Sequence, residues 1–153
     1  MTKQNLSATI DIAAAPDRVW RVLSDLRRMP EFSTQCRLMR PLGSPRMGSH
    51  TLNMNRHGHK YWPTISRIEQ FAPDQTLAFR TLSNDSVWSF GITPIPTGST
   101  VTHRRTVPPE GTSWGSRTIV EHWLGGEDNF DVAMADGMQT TLRKLKEAVE
   151  TNA

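Results

Sequence analysis

Residues 127–150 read EDNFDVAMADGMQTTLRKLKEAVE. Phe130, Met134, Met138, Leu142, Leu145 and Val149 recur at spacings of three and four, the period that lays apolar side chains along one face of an α-helix. A helix with that stripe must lie on an apolar surface. The segments at 49–107 supply one, because they are strand-like and carry tryptophans. A strongly curved sheet gripping one helix leaves a hollow, and a hollow lined by Trp, Phe and Met suits an apolar ligand. Gly137 lies inside the helical stretch, where Gly is about 1 kcal/mol less favourable than Ala. Either the sheet approaches closely there, or the missing side chain leaves room for a ligand.

Working outward, Ser7 to Ile12 alternates, with Ala8, Ile10 and Ile12 on one face, as in a half-buried strand. Ala14-Ala15-Pro16-Asp17 opens a helix, with Pro16 suited to the first helical position and Asp17 to the N-terminal dipole. Val19, Trp20, Val22, Leu23 and Leu26 form its apolar face, and Met29 to Thr34 reads as a second short helical turn. Arg37–Pro41 is a further strand candidate, and the Pro- and Gly-rich run 41–48 is a turn. Five strands are expected at Ser49–Arg56, Tyr61–Phe71, Thr76–Leu82, Val87–Pro94 and Ser99–Val107. The breakers between them are short, which implies antiparallel hairpins in a meander. Residues 108–126 read as a loop followed by a short helix or an ordered lid segment.

The composition, 36% hydrophobic and 22% charged over 153 residues, is that of a soluble globular chain, expected to form a single domain over 1–153. No run is long enough to cross a bilayer and no secretory leader is visible, so cytoplasm is the expected compartment. The lone Cys36 excludes an internal disulfide framework and reads as structural. The net charge of +3 is spread over scattered groups such as Arg27-Arg28, Arg104-Arg105 and Arg143-Lys144-Lys146. These read as ordinary solvated faces, and no nucleic-acid partner is expected.

The order strand, two short helices, antiparallel strands and long closing helix resembles the helix-grip fold of the START-like (SRPBCC) superfamily, which includes polyketide cyclase/dehydrase-like proteins. The residues carrying the resemblance are Ala14-Ala15-Pro16-Asp17-Arg18-Val19-Trp20, Asp25 to Ser33, Asn55-Arg56-His57-Gly58, Trp62, Ile68 to Pro73, Trp88-Ser89-Phe90 and Gly137-Met138 with Thr141-Leu142 and Leu145. It implies an α+β fold: a curved antiparallel sheet of about seven strands around the C-terminal helix, with two short helices after the first strand. It covers nearly the whole chain but not Thr112 to Trp123. It bears on the fold far more than on function, because members share a cavity rather than a reaction.

Alternation places Trp88, Phe90 and Ile92 on one face of their strand, and Val101, His103 and Arg105 on one face of theirs. Trp62 and Thr64 share a face, Phe79 is a candidate on the next strand, and Phe130, Met134 and Met138 are the helix residues opposite. Phe32 caps the end. The same spacings describe an ordinary core, since core and cavity lining are one surface in this fold. At 49–56 the signals conflict. Hydrophobicity turns Leu52 and Met54 inward, whereas the resemblance turns Thr51, Asn53 and Asn55 inward, and a one-residue shift exchanges the faces. Asn53 and Asn55 are taken as ligand candidates.

His103 is the one good candidate for acid–base chemistry, against the commoner reading of a hydrogen-bonded or exposed histidine. Arg56 and Arg105 are candidate anchors for a ligand carboxylate, although strand-end arginines are more often exposed. His57-Gly58-His59 lacks the further ligands that zinc requires, so no metal is expected, and no motif points to a cofactor. Three functions follow. The first is binding of a hydrophobic or amphipathic small molecule (lipid or polyketide-like) between sheet and helix. The second is a polyketide cyclase or dehydratase using His103. The third is a ligand-free interaction module or homodimer, through an exposed strand or the segment 114–123; monomer and homodimer both remain open.

Overall fold

A computed structural model describes residues 5–83, 85–107 and 127–151, with side chains of the last segment from 135 onward. Seven strands form one antiparallel sheet: β1 (Leu6–Ile12), β2 (Cys36–Pro41), β3 (His50–His57), β4 (Lys60–Ala72), β5 (Thr76–Thr81), β6 (Ser86–Ile95) and β7 (Gly98–Thr106). The spatial order is β1-β7-β6-β5-β4-β3-β2, so β2 to β7 run as a meander and β1 closes onto β7. Between β1 and β2 lie α1 (Pro16–Leu23), a single 3-10 turn (Leu26–Arg28) and α2 (Met29–Phe32). The closing helix α3 spans Glu127–Thr151. This is the helix-grip α+β fold.

Each expected strand forms, with ends moved by a residue or two. Pro16 begins α1, and Ala15, in extended conformation, offers no side-chain cap. Val19, Leu23, Leu26 and Met29 are buried against Ile12, Val101, Leu142, Leu145 and Val149, which together form the continuous core. Trp20 meets Phe71 edge-on at 5.0 Å between ring centroids. The end of α3 is tied to the β1–α1 junction: Glu150 accepts the Ala13 N–H at 2.8 Å, Arg18 donates to the Val149 carbonyl at 3.2 Å, and Lys146 to the Asp11 carbonyl at 3.1 Å.

That anchoring decides where the helix sits. It lies closest to β1, α1 and α2 and touches β7 more lightly. Gly98 belongs to the same junction: a Cβ there would stand 2.2 Å from the Ile12 carbonyl oxygen and 2.7 Å from the Ala14 nitrogen. The close neighbour of Gly137 is not the sheet. The group close to it is the Thr34 hydroxyl, 2.6 Å from where a Cβ would be, so it is the α2–β2 connection that presses on the helix. The segment 108–126 and the side chains of Phe130 and Met134 lie outside the described residues.

Candidate functional site

Cross-strand pairs place their side chains on one face of the sheet, so the register maps the inner surface. Toward α1 that surface is apolar. Phe71 pairs with Leu77, Leu77 with Phe90, and Ile92 with Val101, all on or against the core. Toward β3 it becomes polar: Thr51 pairs with Ser66, Ser66 with Thr81, Thr81 with Ser86, and Asn53 with Thr64. Thr51, Asn53, Ser66 and Ser86 are buried, while Leu52 is exposed. The inner face of β3 is therefore its polar face, with Leu52 outside, contrary to what hydrophobicity alone dictates.

Buried Asn53 and half-buried Asn55 are held by neighbouring groups. Asn53 Oδ1 accepts from Thr51 Oγ1 at 2.9 Å, and its Nδ2 faces Ser66 Oγ at 2.8 Å and Thr64 Oγ1 at 3.2 Å. Asn55 Nδ2 donates to Thr64 Oγ1 at 3.0 Å and to the Trp62 carbonyl at 3.3 Å. The result is a ladder of amides and hydroxyls along one interior margin, with Asn55 and half-buried Trp62 at its end. Ser66 and Ser86 are not among the residues the sequence singles out, and Thr51 enters there only as an inward-facing neighbour of Asn53 and Asn55. Extending the alternation of Trp62 and Thr64 by one step would have reached Ser66.

His103 lies on the inner face of β7 at 4% exposure. Its ring stacks on Phe90 at 3.9 Å and 5°, and Trp88 is 5.8 Å away. Nδ1 is 3.0 Å from the Ser89 carbonyl oxygen, which only accepts, so the proton of the neutral ring sits on Nδ1 and the lone pair on Nε2. Burial pushes the imidazole down to about 4, and the Ser89 carbonyl offsets only part of that. At neutral pH His103 is an acceptor and a weak base, a poor fit for a general acid.

Arg105, on the same face, is 1% exposed and lies over Trp88, with its guanidinium carbon 5.8 Å from the ring centroid. The reading of a strand-end arginine as exposed fails here, because the side chain projects from the inner face of the sheet, beside its cross-strand partner Trp88. It holds for Arg56, which is exposed, donates to the Gly58 carbonyl at 2.7 Å and lies over Tyr61. Phe79 and Phe32 are buried in the core, Phe32 beneath Arg28. Met138 is buried on α3.

An open cleft of about 390 Å³ lies where the α2–β2 connection, the β3–β4 turn and α3 meet, with Thr34, Arg37, Arg56, Asp136 and Gly137 among its walls. Arg56 and His57, at the end of β3, both line it. Cys36 is buried, with Sγ 3.3 Å from the Leu38 carbonyl, and burial pushes its thiol up to about 11. It is a packing residue, not a nucleophile. Among the described residues no three His, Cys, Asp or Glu side chains converge as metal ligands, and no helix is long and apolar enough to cross a membrane.

A helix gripped at one margin of a sheet whose inner surface grades from apolar to polar defines a helix-grip protein of the START-like class. Residues 3–150 match the family described as polyketide cyclase / dehydrase and lipid transport, and the chain belongs to that family. Among solved structures it is similar to TTHA0849 from Thermus thermophilus, at 15% identity and a TM-score of 0.76, covering 98% of this chain and 99% of that one. It is also similar to the Polyketide_cyc-like protein Cgl2372 from Corynebacterium glutamicum, at 20% identity and a TM-score of 0.67, covering 97% and 92%. A third is the di-domain ARO/CYC StfQ from the steffimycin biosynthetic pathway, at 13% identity and a TM-score of 0.76, covering 97% of this chain and 51% of that one. These likenesses establish the fold. No curated protein matches the chain significantly.

Proposed function

We propose that residues 1–153, as one START-like domain, bind an amphipathic small molecule of lipid or polyketide-like character between the sheet and α3. The observation that carries this reading is the polar ladder, buried at Thr51, Asn53 and Ser66 and half-buried at Asn55 and Thr64, beside the apolar surface of Phe79, Phe90 and Trp88. A core built only for stability has little use for a line of amides and hydroxyls, since burying such groups gains almost nothing over apolar packing. A ligand with an apolar body and oxygen-bearing end matches the gradient. Burial of its body drives affinity, at about 25 cal/mol per Å² before losses, and the ladder orients its polar end. The cleft beside Arg56 and Gly137 is the route of entry.

The cyclase or dehydratase reading is supported by His103, whose Nδ1 contact with the Ser89 carbonyl leaves Nε2 as a fixed acceptor near buried Arg105. The family name and the ARO/CYC description of StfQ lend weight to the same chemistry. On this reading Nε2 takes a proton from an acidic carbon of the substrate and the Arg105 guanidinium steadies the enolate. A conjugate acid near 4 makes His103 a weak base, so binding is placed first.

Native mass spectrometry of the protein from its source tests the binding reading. A retained small molecule is expected, and Asn53→Leu should lower its occupancy while leaving the apolar surface intact. Protein that carries nothing, and takes up neither fatty acids nor aromatic polyketides in solution, would end it.

A further inference from the structure

The run from Phe32 to Ile68 contains no Asp or Glu, yet holds Arg37, Arg40, Arg46, Arg56, Lys60 and Arg67. That stretch alone carries a formal +6, against +3 for the whole chain. In the fold it becomes β2, β3 and most of β4, which together form one margin of the sheet, and all six cations are exposed there. The outer face of the same margin is apolar. Leu52 (41% exposed) pairs with Ile65 (47%), and the β2–β3 connection carries Leu42 (56%) and Met47 (70%). Polar residues turned inward on β3 and β4 leave these aliphatic side chains in water.

We propose that this margin is a docking surface for an anionic lipid bilayer. Leu42 and Met47 would enter the boundary between headgroups and acyl chains, Leu52 and Ile65 would follow as the face settles, and the arginines would hold lipid phosphates. Arg40 and Arg46 are the best placed, flanking Leu42 and Met47 in sequence and having no carboxylate partner among the described residues. Arg67 is least available, because Glu69 holds it at 2.8 Å.

Charge selects this occupant over the others. A symmetric pair of copies meeting through this face would set six cations against six with no carboxylate from the stretch between them, an arrangement that like charge opposes. Nucleic acid satisfies the charge, but single strands are held by aromatic stacking, and the exposed apolar groups here are mainly aliphatic, with Tyr61 the aromatic exception. An anionic bilayer offers both the charge and the apolar layer. No transmembrane helix is required for such binding.

The test is co-sedimentation of the full chain with vesicles of phosphatidylcholine alone and of equimolar phosphatidylcholine and phosphatidylglycerol. Binding to the anionic vesicles only, weakening as salt rises, is expected. Arg40→Ala with Arg46→Ala should weaken it roughly twenty-five-fold, at about fivefold per cation near an anionic surface. Leu42→Ser with Met47→Ser should weaken it about tenfold or more while leaving the thermal midpoint unchanged, since both side chains are exposed. Four outcomes would overturn the proposal: absent or equal binding to the two vesicle types; binding that survives both pairs of substitutions; a dimer by light scattering that Leu42→Ser with Met47→Ser dissolves; or DNA binding of equal strength that the same pair leaves unchanged.

Discussion

His103 illustrates how a single buried side chain records its surroundings. The Ser89 carbonyl sets its tautomer, Phe90 covers one face, and burial holds it neutral with a folded value of about 4 against an ordinary 6.5. Between those values the unfolded chain binds more protons than the folded one. The stabilisation is therefore complete above about 6.5 and lost as pH falls through about 4. Its size is on the order of 3 kcal/mol. Urea unfolding across that window should show the loss, His103→Gln should flatten it, and an NMR titration should find the His103 ring unprotonated at pH 6. Asn53 makes a second prediction at this scale. Asn53→Ala strands the Thr51 and Ser66 hydroxyls, while Thr64 keeps Asn55, and should cost about 1–3 kcal/mol in urea unfolding.

Elements here are positioned by a few points of close approach. In α3, Gly137 gives up helix propensity to admit the Thr34 hydroxyl. Gly137→Ala alone should change stability little, because the gain of about 1 kcal/mol in the helix is cancelled by displacing Thr34. In a Thr34→Ala background the same substitution should stabilise by about 1 kcal/mol, and a thermal double-mutant cycle would reveal that coupling. Gly98 allows no such rescue. At φ +145°, with the Ile12 carbonyl and Ala14 nitrogen against it, Gly98→Ala has only backbone to push on and should destabilise by more than about 3 kcal/mol in denaturant unfolding.

Across the whole molecule the interior has two characters. One end is solid: Leu142, Leu145 and Val149 of α3 mesh with Ile12, Val19, Leu23 and Val101. The other carries the amide and hydroxyl ladder, and its outer surface is correspondingly apolar and cationic. Met138 is buried on the same helix. Leu145→Ala should therefore cost about 2–5 kcal/mol in global unfolding, because it empties a fully buried site at the solid end.

Much of this organisation was legible in the residues. The 3.6-residue stripe in 127–150, the alternation at 87–94 and 99–107, and the short breakers between strands are local signals, and local signals determine helices, strands and hairpins whatever surrounds them. The absence of carboxylates from 32 to 68 was equally visible, but its meaning was not, because charges spread over 37 residues look dilute until three strands lie side by side. The direction of the β3 face was likewise beyond local reading. Alternating Thr51, Asn53 and Asn55 against Leu52 and Met54 gives two self-consistent faces, and strand period alone cannot choose between them. The choice came from cross-strand partners on β4, where Thr64 and Ser66 complete the hydrogen bonds of the amides. Sequence thus determined the elements and their order. Only tertiary structure decided which face of each was inside, because that depends on satisfying polar groups contributed by residues distant in the chain.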